Sequence, residues 1–318
     1  MEHNYQYFVV GKGSIGIRHA NNLKKLGANV KSYSWREFDE RTFLDNIKKY
    51  GDRAAIIVAT ATQVRLPLIK KCSRYGAALY IEKPLAFKEK DVLEIYKLPK
   101  NIIQRSMVGF MMRYHPVIKK ALDIPMTKIF RGYFEVGSDV KAWRNNWNFE
   151  KSYAANPIGG GVLLDLCHEI DIAQLLCGDA EIKSVRATSH PTIKNIDVAC
   201  DIDFGNANGL NYRVSMDYLA PTLVRTGKIV STEAVISYDI AKGELASFSA
   251  KSEDIFRFEI SRNKMFLECM SDFMALVEGR PTSHPYIPVL PSVFSVCLKI
   301  AQAWERREFD SRLSSEVL

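Results

Sequence analysis

The chain has 318 residues, of which 47% are hydrophobic and 25% charged; this length fits two globular domains, and the composition argues against disorder, collagen and a coiled coil. No apolar run approaches the roughly 20 residues that a membrane-spanning helix requires, so no membrane partner is expected. The net charge of +8 is spread along the chain without long basic runs, which argues against nucleic-acid binding and is explained equally by a phosphorylated cofactor, an acidic substrate or surface solvation.

Strands and helices alternate in the first third of the chain. The pattern of apolar residues predicts strands at 7–10, 29–35, 54–59 and 78–81 and helices at 15–26, 41–50 and 66–75. The third strand is apolar throughout, as expected where helices cover both faces of a sheet. This order predicts an α/β domain of the Rossmann type, with a doubly wound parallel sheet and right-handed crossovers.

The pattern changes after about residue 115, where long alternating segments begin. They predict strands at 129–136, 182–189, 198–204, 210–216, 228–230 and 234–238, one strong helix at 161–176 and late helices at 264–278 and 289–306. The sequence therefore predicts a second domain of the α+β class with a mostly antiparallel sheet. We expect residues 1–115 to form the first domain and residues 116–318 the second.

A glycine-rich loop, GKGSIG, follows the first predicted strand and fits the GxGxxG pattern. Gly11 permits the tight turn, Gly13 lets the backbone approach a pyrophosphate, and Gly16 lets the next helix pack closely on the strand. Ser14 and Ile15 begin that helix and place its positive end at the phosphates, which predicts a bound dinucleotide. The alternative is a Rossmann-like domain that has lost its cofactor.

The residues after the second predicted strand bear on the choice between NAD and NADP. NAD-binding domains carry a carboxylate there, which holds the ribose 2′-hydroxyl. Here Ser34, Trp35 and Arg36 occupy the segment. The Arg36 guanidinium can pair with a 2′-phosphate, which a carboxylate would repel. The segment therefore favours NADP, while the nearby Glu37 keeps NAD open.

Lys83 follows the fourth predicted strand, within the sequence Glu82-Lys83-Pro84-Leu85. Open α/β sheets bind their ligands at the carboxyl ends of the strands. A lysine held beside a nicotinamide ring can polarise a carbonyl or stabilise an alkoxide. Lys83 is therefore a candidate catalytic residue, although a solvated loop lysine would show the same pattern.

Asp165 and His168 lie in the predicted helix that follows a run of three glycines. Their i, i+3 spacing would put both side chains on one face of that helix. A histidine can take the hydroxyl proton as hydride leaves the carbon, and an aspartate beside it can orient the ring. A structural histidine is the plainer alternative. A metal site is not predicted, because this cluster contains a single histidine.

The cysteines and the N-terminus bear on the cellular compartment. The six cysteines show neither a CxxC pair nor metal-ligand spacing. The first residues lack the basic region and the long apolar stretch of a secretory signal peptide. We therefore expect reduced thiols and a cytoplasmic protein.

Four segments, taken in order, resemble the glucose–fructose oxidoreductase, inositol dehydrogenase and MocA-type dehydrogenases. They are GKGSIG at the glycine loop, EKPL at 82–85, VGFMMRYHP at 108–116 and GGGVLLDLCHEID at 159–171. The resemblance implies an NAD(P)-binding Rossmann domain and a substrate-binding domain whose large open sheet often forms the interface of a homo-oligomer, here a dimer or tetramer. It implies Lys83, Asp165 and His168 as the catalytic group. Further cofactor contacts are implied at Thr60, Ala61 and Glu82.

The chain departs from the family pattern in three places. The aspartate and histidine are four residues apart in many members but three apart here, which shifts their mutual geometry and affects Asp165 more than His168. The usual threonine–proline pair after the third strand reads Thr60-Ala61, and Arg65 replaces a frequent histidine. The form around His168 is similar to a subset associated with bacterial surface-sugar pathways, which points to surface-polysaccharide metabolism.

Candidate substrate contacts flank these motifs. Arginine suits a carboxylate or phosphate, and aromatic rings stack on sugar faces. We assign this role to Arg113, Tyr114, Trp143, Arg144 and Tyr153. The sequence thus predicts an enzyme that moves hydride between a nicotinamide cofactor and a sugar, sugar acid or sugar derivative. Two alternatives stay open, a redox-neutral epimerase or lyase with a bound cofactor and a non-catalytic nicotinamide-sensing protein.

Overall fold

The computed structural model describes residues 5–143 and 149–314, which form two compact units. Unit 1 holds the described residues up to Tyr114 together with Ser261–Leu298. Unit 2 holds the described part of His115–Ile260 and the described residues from Lys299 onward. Every helix within these ranges is too short or too polar to cross a membrane.

A five-stranded parallel sheet forms the centre of unit 1. Its strands are β1 (Gln6–Val10), β2 (Asn29–Tyr33), β3 (Ala54–Val58), β4 (Ala78–Ile81) and β5 (Met107–Val108), in the order β2-β1-β3-β4-β5. The accompanying helices are α1 (Ser14–Lys25), α2 (Glu40–Tyr50), α3 (Arg65–Ser73), α4 (Glu89–Tyr96) and α5 (Lys100–Ile103). The strands β1, β3 and β4 are buried along their whole length, which explains why their sequences are apolar without alternation. The predicted Rossmann sheet is confirmed.

The strand order of this sheet reverses between β1 and β3. The chain passes from β1 through α1 to β2 on one side and then returns to place β3 on the other side of β1. The amide of Ala59, just after β3, donates to the carbonyl of Val10 at the end of β1. The loops that follow the two strands therefore start side by side, at the edge where open α/β sheets bind ligands.

Nine strands build the sheet of unit 2. They are β6 (Ile129–Gly137), β7 (Glu181–Ser189), β8 (Asp197–Gly205), β9 (Asn211–Asp217), β10 (Val224–Ser231), β11 (Ala234–Asp239), β12 (Glu244–Ser249), β13 (Glu253–Arg257) and β14 (Glu308–Arg312). Their order is β13-β12-β11-β10-β6-β9-β8-β7-β14, and neighbours are antiparallel except for the pairs β6–β9 and β7–β14. The predicted large, mostly antiparallel sheet is confirmed.

The two faces of the nine-stranded sheet differ in exposure. On the inner face, side chains such as Phe134 and Val214 are buried, and the helix α8 (His168–Cys177) packs on β6 and β9. Two shorter helices, α6 (Pro116–Asp123) and α7 (Val162–Asp165), also belong to unit 2. The outer face exposes Tyr133 and Phe248. This alternation of buried and exposed residues is the period-two pattern that predicted the strands.

The late helix α9 (Arg262–Val277) belongs to unit 1, although residues 116–318 were expected to form the second domain. The Asn263 side chain of α9 exchanges hydrogen bonds with Asn22 of α1, and Phe273 packs edge-on against Tyr7 and Tyr80 of the parallel sheet. A last helix, α10 (Phe294–Glu305), contributes residues to both units. The difference arises because periodicity identifies the apolar face of a helix but not the sheet that this face covers.

Candidate functional site

The glycine loop of unit 1 combines two closely packed glycines with one open glycine. Gly11 has a φ of 115°, and a Cβ there would lie 2.4 Å from the carbonyl oxygen of Ala59. A Cβ on Gly16 would lie 1.8 Å from the carbonyl oxygen of Gly11. A Cβ on Gly13 would meet no heavy atom within 4 Å beyond its chain neighbours.

This pattern fits a dinucleotide. Gly11 and Gly16 hold the loop against β3 and α1, and the open side of Gly13 leaves room for a pyrophosphate. Gly13 is also the N-cap of α1, and the first turn of that helix, which includes Ser14 and Ile15, carries no acidic residue. The positive end of the helix is therefore not neutralised by its own first turn.

The segment after β2 forms an exposed turn. β2 ends at Tyr33, and the Trp35 ring packs against Phe38 with 5.0 Å between ring centroids. Ser34 is half-buried, while Arg36 and Glu37 both lie in the turn and are exposed. The turn therefore presents one guanidinium and one carboxylate beyond the end of the strand.

The Lys83 loop follows β4 and is held by buried polar contacts. The Glu82 carboxylate is buried and lies 2.6 Å from Nε2 of His19, a buried residue of α1. Burial alone would raise the pKa of Glu82, but the nearby His19, Arg65 and Lys83 outweigh it and hold that pKa below its usual value. Glu82 thus anchors the loop, while Lys83 itself is half-buried. Of the other two predicted contacts, Thr60 is buried and Ala61 is exposed.

The helix that was expected at 161–176 is broken between the two candidate catalytic residues. α7 ends at Asp165, Leu166 leaves helical geometry with φ −101° and ψ 15°, and α8 begins at His168. The i, i+3 argument for a shared helical face is therefore wrong. The start of α7 is fixed from outside the helix, because the Asp197 carboxylate of β8 accepts from the Leu163 amide at 2.8 Å and also binds Arg307.

Two tyrosines donate hydrogen bonds to Asp165. The hydroxyl of Tyr218, just after β9, lies 3.0 Å from Oδ2, and the hydroxyl of Tyr153 lies 3.3 Å from each carboxylate oxygen. Tyr218 is fully buried, and burial together with the Asp165 charge raises its pKa, so the hydroxyl keeps its proton. Sequence reasoning missed Tyr218, because it lies outside every motif and 53 residues from Asp165.

Glu169, the residue that follows His168 in sequence, forms a buried ion pair. The Glu169 carboxylate is fully buried and accepts from Nε of Arg225 on β10. Burial raises the pKa of Glu169, although the Arg225 guanidinium opposes the shift. The pair ties the first turn of α8, which carries the buried His168, to the inner face of the sheet.

The candidate substrate residues fall into different settings. Arg113 is buried in unit 1 and donates to the carbonyl of Tyr286 at 3.1 Å, and the buried Tyr114 packs edge-on against His284. Tyr153 in unit 2 is 54% exposed.

Two candidate substrate residues cannot be placed. Trp143 ends a short 3-10 helix, and its side chain lies outside the described part of the structure, as does the whole of Arg144.

Curated relatives match part of the chain. Inositol 2-dehydrogenase of Rhizobium meliloti (strain 1021) is 28% identical over 170 residues, which cover 50% of this chain and 47% of that protein. The scyllo-inositol 2-dehydrogenase (NAD(+)) of Bacillus subtilis (strain 168) is 28% identical over 216 residues, which cover 61% of this chain and 59% of that protein. The chain thus matches roughly half of the length of these relatives. No family model matches the chain.

Solved structures match over nearly the whole chain. UDP-N-acetylglucosamine 3-dehydrogenase GnnA from Acidithiobacillus ferrooxidans has a TM-score of 0.75 at 16% identity, over 96% of this chain and 98% of that one. Levoglucosan dehydrogenase in complex with NADH has a TM-score of 0.75 at 17% identity, over 95% of this chain and 96% of that one. At these identities the likeness shows the fold. The partial sequence matches and the four motifs agree with the resemblance to the glucose–fructose oxidoreductase, inositol dehydrogenase and MocA-type dehydrogenases.

Proposed function

We propose that the chain is a nicotinamide-dependent oxidoreductase that acts on a CH–OH group of a sugar, a sugar acid or another sugar derivative. One observation carries the proposal. The carboxyl edge of the parallel sheet holds both a glycine loop with room for a pyrophosphate and, two strands away in the sheet, Lys83. Phosphate binding by the loop does not need that lysine, whereas a substrate oxygen beside a nicotinamide does.

Each candidate catalytic residue has a distinct role in this proposal. A bound nicotinamide supplies the hydride acceptor or donor. Lys83 stabilises the substrate oxygen as negative charge develops on it. His168 takes the hydroxyl proton on oxidation and returns it on reduction. Asp165, held by the hydroxyls of Tyr218 and Tyr153, orients His168 or a substrate hydroxyl.

NADP is the favoured cofactor and NAD the competing one. Ser34, Trp35 and Arg36 stand where an NAD-binding domain carries its carboxylate, and Arg36 suits a 2′-phosphate. Glu37 in the same turn supports NAD. The Bacillus subtilis relative is named as an NAD(+) enzyme, and levoglucosan dehydrogenase was solved with NADH. Predicted contacts from Gly11, Gly13, Thr60, Ala61 and Glu82 are the same for both cofactors.

The substrate class rests on the relatives and on exposed aromatic surface. The similar proteins are named for inositol, levoglucosan and a nucleotide-linked sugar, and the exposed Tyr153 ring suits the face of such a ring. Arg113 and Arg144 remain candidates for contacts to acidic or phosphorylated groups, and Tyr114 for a contact to a sugar face. Surface-polysaccharide metabolism is the favoured setting, because of the sequence form around His168.

Assembly and location complete the proposal. The outer face of the nine-stranded sheet exposes large apolar side chains, among them Tyr133, Phe248 and Ile255. This surface suits a homodimer or homotetramer formed through the sheet. All six cysteines are buried and none forms a disulfide, which suits a reducing compartment such as the cytoplasm.

A turnover assay with purified, nucleotide-stripped protein tests the function. The protein is incubated with NADP+ or NAD+ and separate panels of polyols, sugars, sugar acids, sugar phosphates and nucleotide sugars, and reduced nicotinamide is followed by absorbance. We expect reduced nicotinamide with at least one class and its loss in His168→Ala. A new sugar product without net reduction of the nicotinamide indicates the redox-neutral alternative. If the function of the protein in cells survives His168→Ala and also survives Lys83→Ala, the chain is a non-catalytic sensor.

A further inference from the structure

Arg65, the first residue of α3, has a buried guanidinium that binds main-chain carbonyls on both sides of Lys83. Its Nη1 donates to the carbonyl oxygens of Glu82 and Pro84. Its Nε and Nη2 donate to the carbonyl oxygen of Thr60 at 3.0 and 2.7 Å. A single side chain therefore joins the segments that follow the neighbouring strands β3 and β4.

The shape of the guanidinium suits this arrangement. Arginine presents several N–H donors in a rigid planar fork, whereas lysine offers a compact ammonium on a flexible stem. The three carbonyl acceptors come from two separate segments, so a group that binds all three fixes the distance between them. Removing the fork would leave buried carbonyl oxygens without these donors, which is unfavourable because a buried polar group needs a hydrogen-bond partner.

The side chain of Glu82 is held independently from α1. Its carboxylate lies 2.6 Å from Nε2 of His19, and the His19 ring packs edge-on against Tyr80 with 5.0 Å between centroids. The main chain of Glu82 is thus fixed by Arg65 and its side chain by His19. The residue just before Lys83 has little freedom to move.

The same clamp reaches the glycine loop. Thr60 follows Ala59, whose carbonyl oxygen packs against Gly11 at a distance that excludes any side chain there. Arg65 binds the next carbonyl, that of Thr60. The backbone against which the glycine loop rests and the backbone that carries Lys83 are therefore bridged by one residue.

We propose that Arg65 is a positioning residue, which fixes the main chain on both sides of Lys83 and thereby aims the Lys83 ammonium at the reacting oxygen. Its effect on turnover rests on the proposed function, whereas the clamp itself is a property of unit 1 and can be measured without turnover. A displacement of a catalytic group by about 1 Å can cost about 100-fold in rate.

The first part of the test measures the loop directly. Hydrogen exchange of peptides that cover Glu82–Phe87 is followed by mass spectrometry in wild type, Arg65→Lys and Arg65→His. The control is Arg74→Lys, which changes an exposed arginine just after the same helix. We expect faster exchange of these peptides in both Arg65 variants, with α2 peptides unchanged as evidence that the domain stays folded. Exchange equal to that of wild type and of Arg74→Lys would overturn the clamp.

The second part asks whether Arg65 acts through Lys83. We expect Arg65→Lys to lower kcat about 10- to 100-fold while the KM for the cofactor changes less than about threefold. In a Lys83→Ala background the same substitution should have no further effect, because the group that it positions is gone. Additive losses would overturn the positioning role. If the wild type turns over no sugar, the proposed function fails, and the exchange data still decide the clamp.

Discussion

The candidate sites of the two units are built in different ways. In unit 1, the glycine loop and the Lys83 loop follow β1 and β4, so the register of one parallel sheet fixes their positions. In unit 2, Asp165 and His168 flank a break between two short helices; Asp197 of β8 binds the start of the first helix, and Tyr218, just after β9, binds Asp165 at its end. In unit 1 the topology of the sheet sets where the site lies, and the clamp by Arg65 holds the Lys83 loop in place. A site at a helix junction depends on individual side chains, and substitutions far away in sequence should disturb it.

The largest effects are expected from Lys83 in unit 1 and His168 in unit 2, the candidate catalytic residues with the clearest chemical roles. In the proposed mechanism Lys83→Ala removes the charge that stabilises the substrate oxygen and His168→Ala removes the proton acceptor, so we expect each to lower kcat/KM by about 100- to 10,000-fold. Steady-state kinetics measures both, with the exposed Lys90→Ala as the control. A loss below threefold in either variant would remove that residue from the mechanism.

Two alanine substitutions separate packing from binding in the glycine loop. Gly11→Ala requires a φ of 115° and a Cβ 2.4 Å from a carbonyl oxygen, so we expect a clear drop in Tm and no cofactor binding. Gly13→Ala meets open space, so we expect an unchanged Tm and an affinity for the cofactor at least about tenfold weaker. Thermal unfolding and fluorescence titration give the two values. Full cofactor affinity in Gly13→Ala would show that the phosphates lie elsewhere.

The site in unit 2 depends on side chains that are distant in sequence, so Tyr218→Phe should lower activity, although less than the substitutions of Lys83 and His168. The substitution removes a hydrogen bond to a carboxylate, a bond with a net value of about 1.5–3 kcal/mol, and we expect kcat to fall about 10- to 100-fold. Tyr153→Phe, at an exposed position, should cost less than about fivefold. Tyr212→Phe is the matched control, since Tyr212 is a buried tyrosine of β9 away from Asp165. Equal kinetics for Tyr218→Phe and Tyr212→Phe would contradict the account of this junction.

The smallest expected effect concerns the stability of unit 2 at acidic pH. Burial and the Arg225 charge lower the pKa of His115 to about 4, from an ordinary value near 6.5. Because the folded pKa is the lower one, this stability is present above pH 6.5 and is lost as the pH falls towards 4. Between pH 7 and pH 4.5 the loss is about 2 kcal/mol of unfolding free energy.

Urea unfolding at these two pH values measures the loss for wild type and for His115→Asn. Asparagine preserves the side-chain cap that His115 provides to the first turn of α6 and does not titrate. The variant should therefore lose about 2 kcal/mol less than wild type over the same interval. If the free energy of unfolding depends on pH identically in both proteins, the pKa of His115 is the same in the folded and the unfolded chain.

Those parts of the fold that follow from local patterns could be predicted from the sequence. The strand at 78–81 matches β4, and the glycine loop lies between β1 and α1 as expected. The two-residue β5 was missed, because it is too short to show a period. The placement of α9 in unit 1 was also missed, since its partners Asn22 and Tyr80 are more than 180 residues away in sequence.

The candidate site residues also divide into those that the local sequence reveals and those that depend on distant contacts. Lys83 could be placed at a strand end from its spacing alone. The break at Leu166 could not be predicted, because no glycine or proline marks it and Tyr218, which binds Asp165 at the end of α7, lies 53 residues away in sequence. The contacts of Arg65 could not be predicted from the sequence either, since its acceptors are main-chain carbonyls, which every residue carries.

A titration of nucleotide-stripped protein with NADPH and separately with NADH, followed by nicotinamide fluorescence, tests the proposed cofactor dependence directly. We expect saturable binding of both with a markedly lower Kd for NADPH, and a loss of that preference in Arg36→Ala. Tighter binding of NADH would contradict the role given to Arg36 and leave the oxidoreductase proposal in place. Binding of neither cofactor would contradict the proposed function itself.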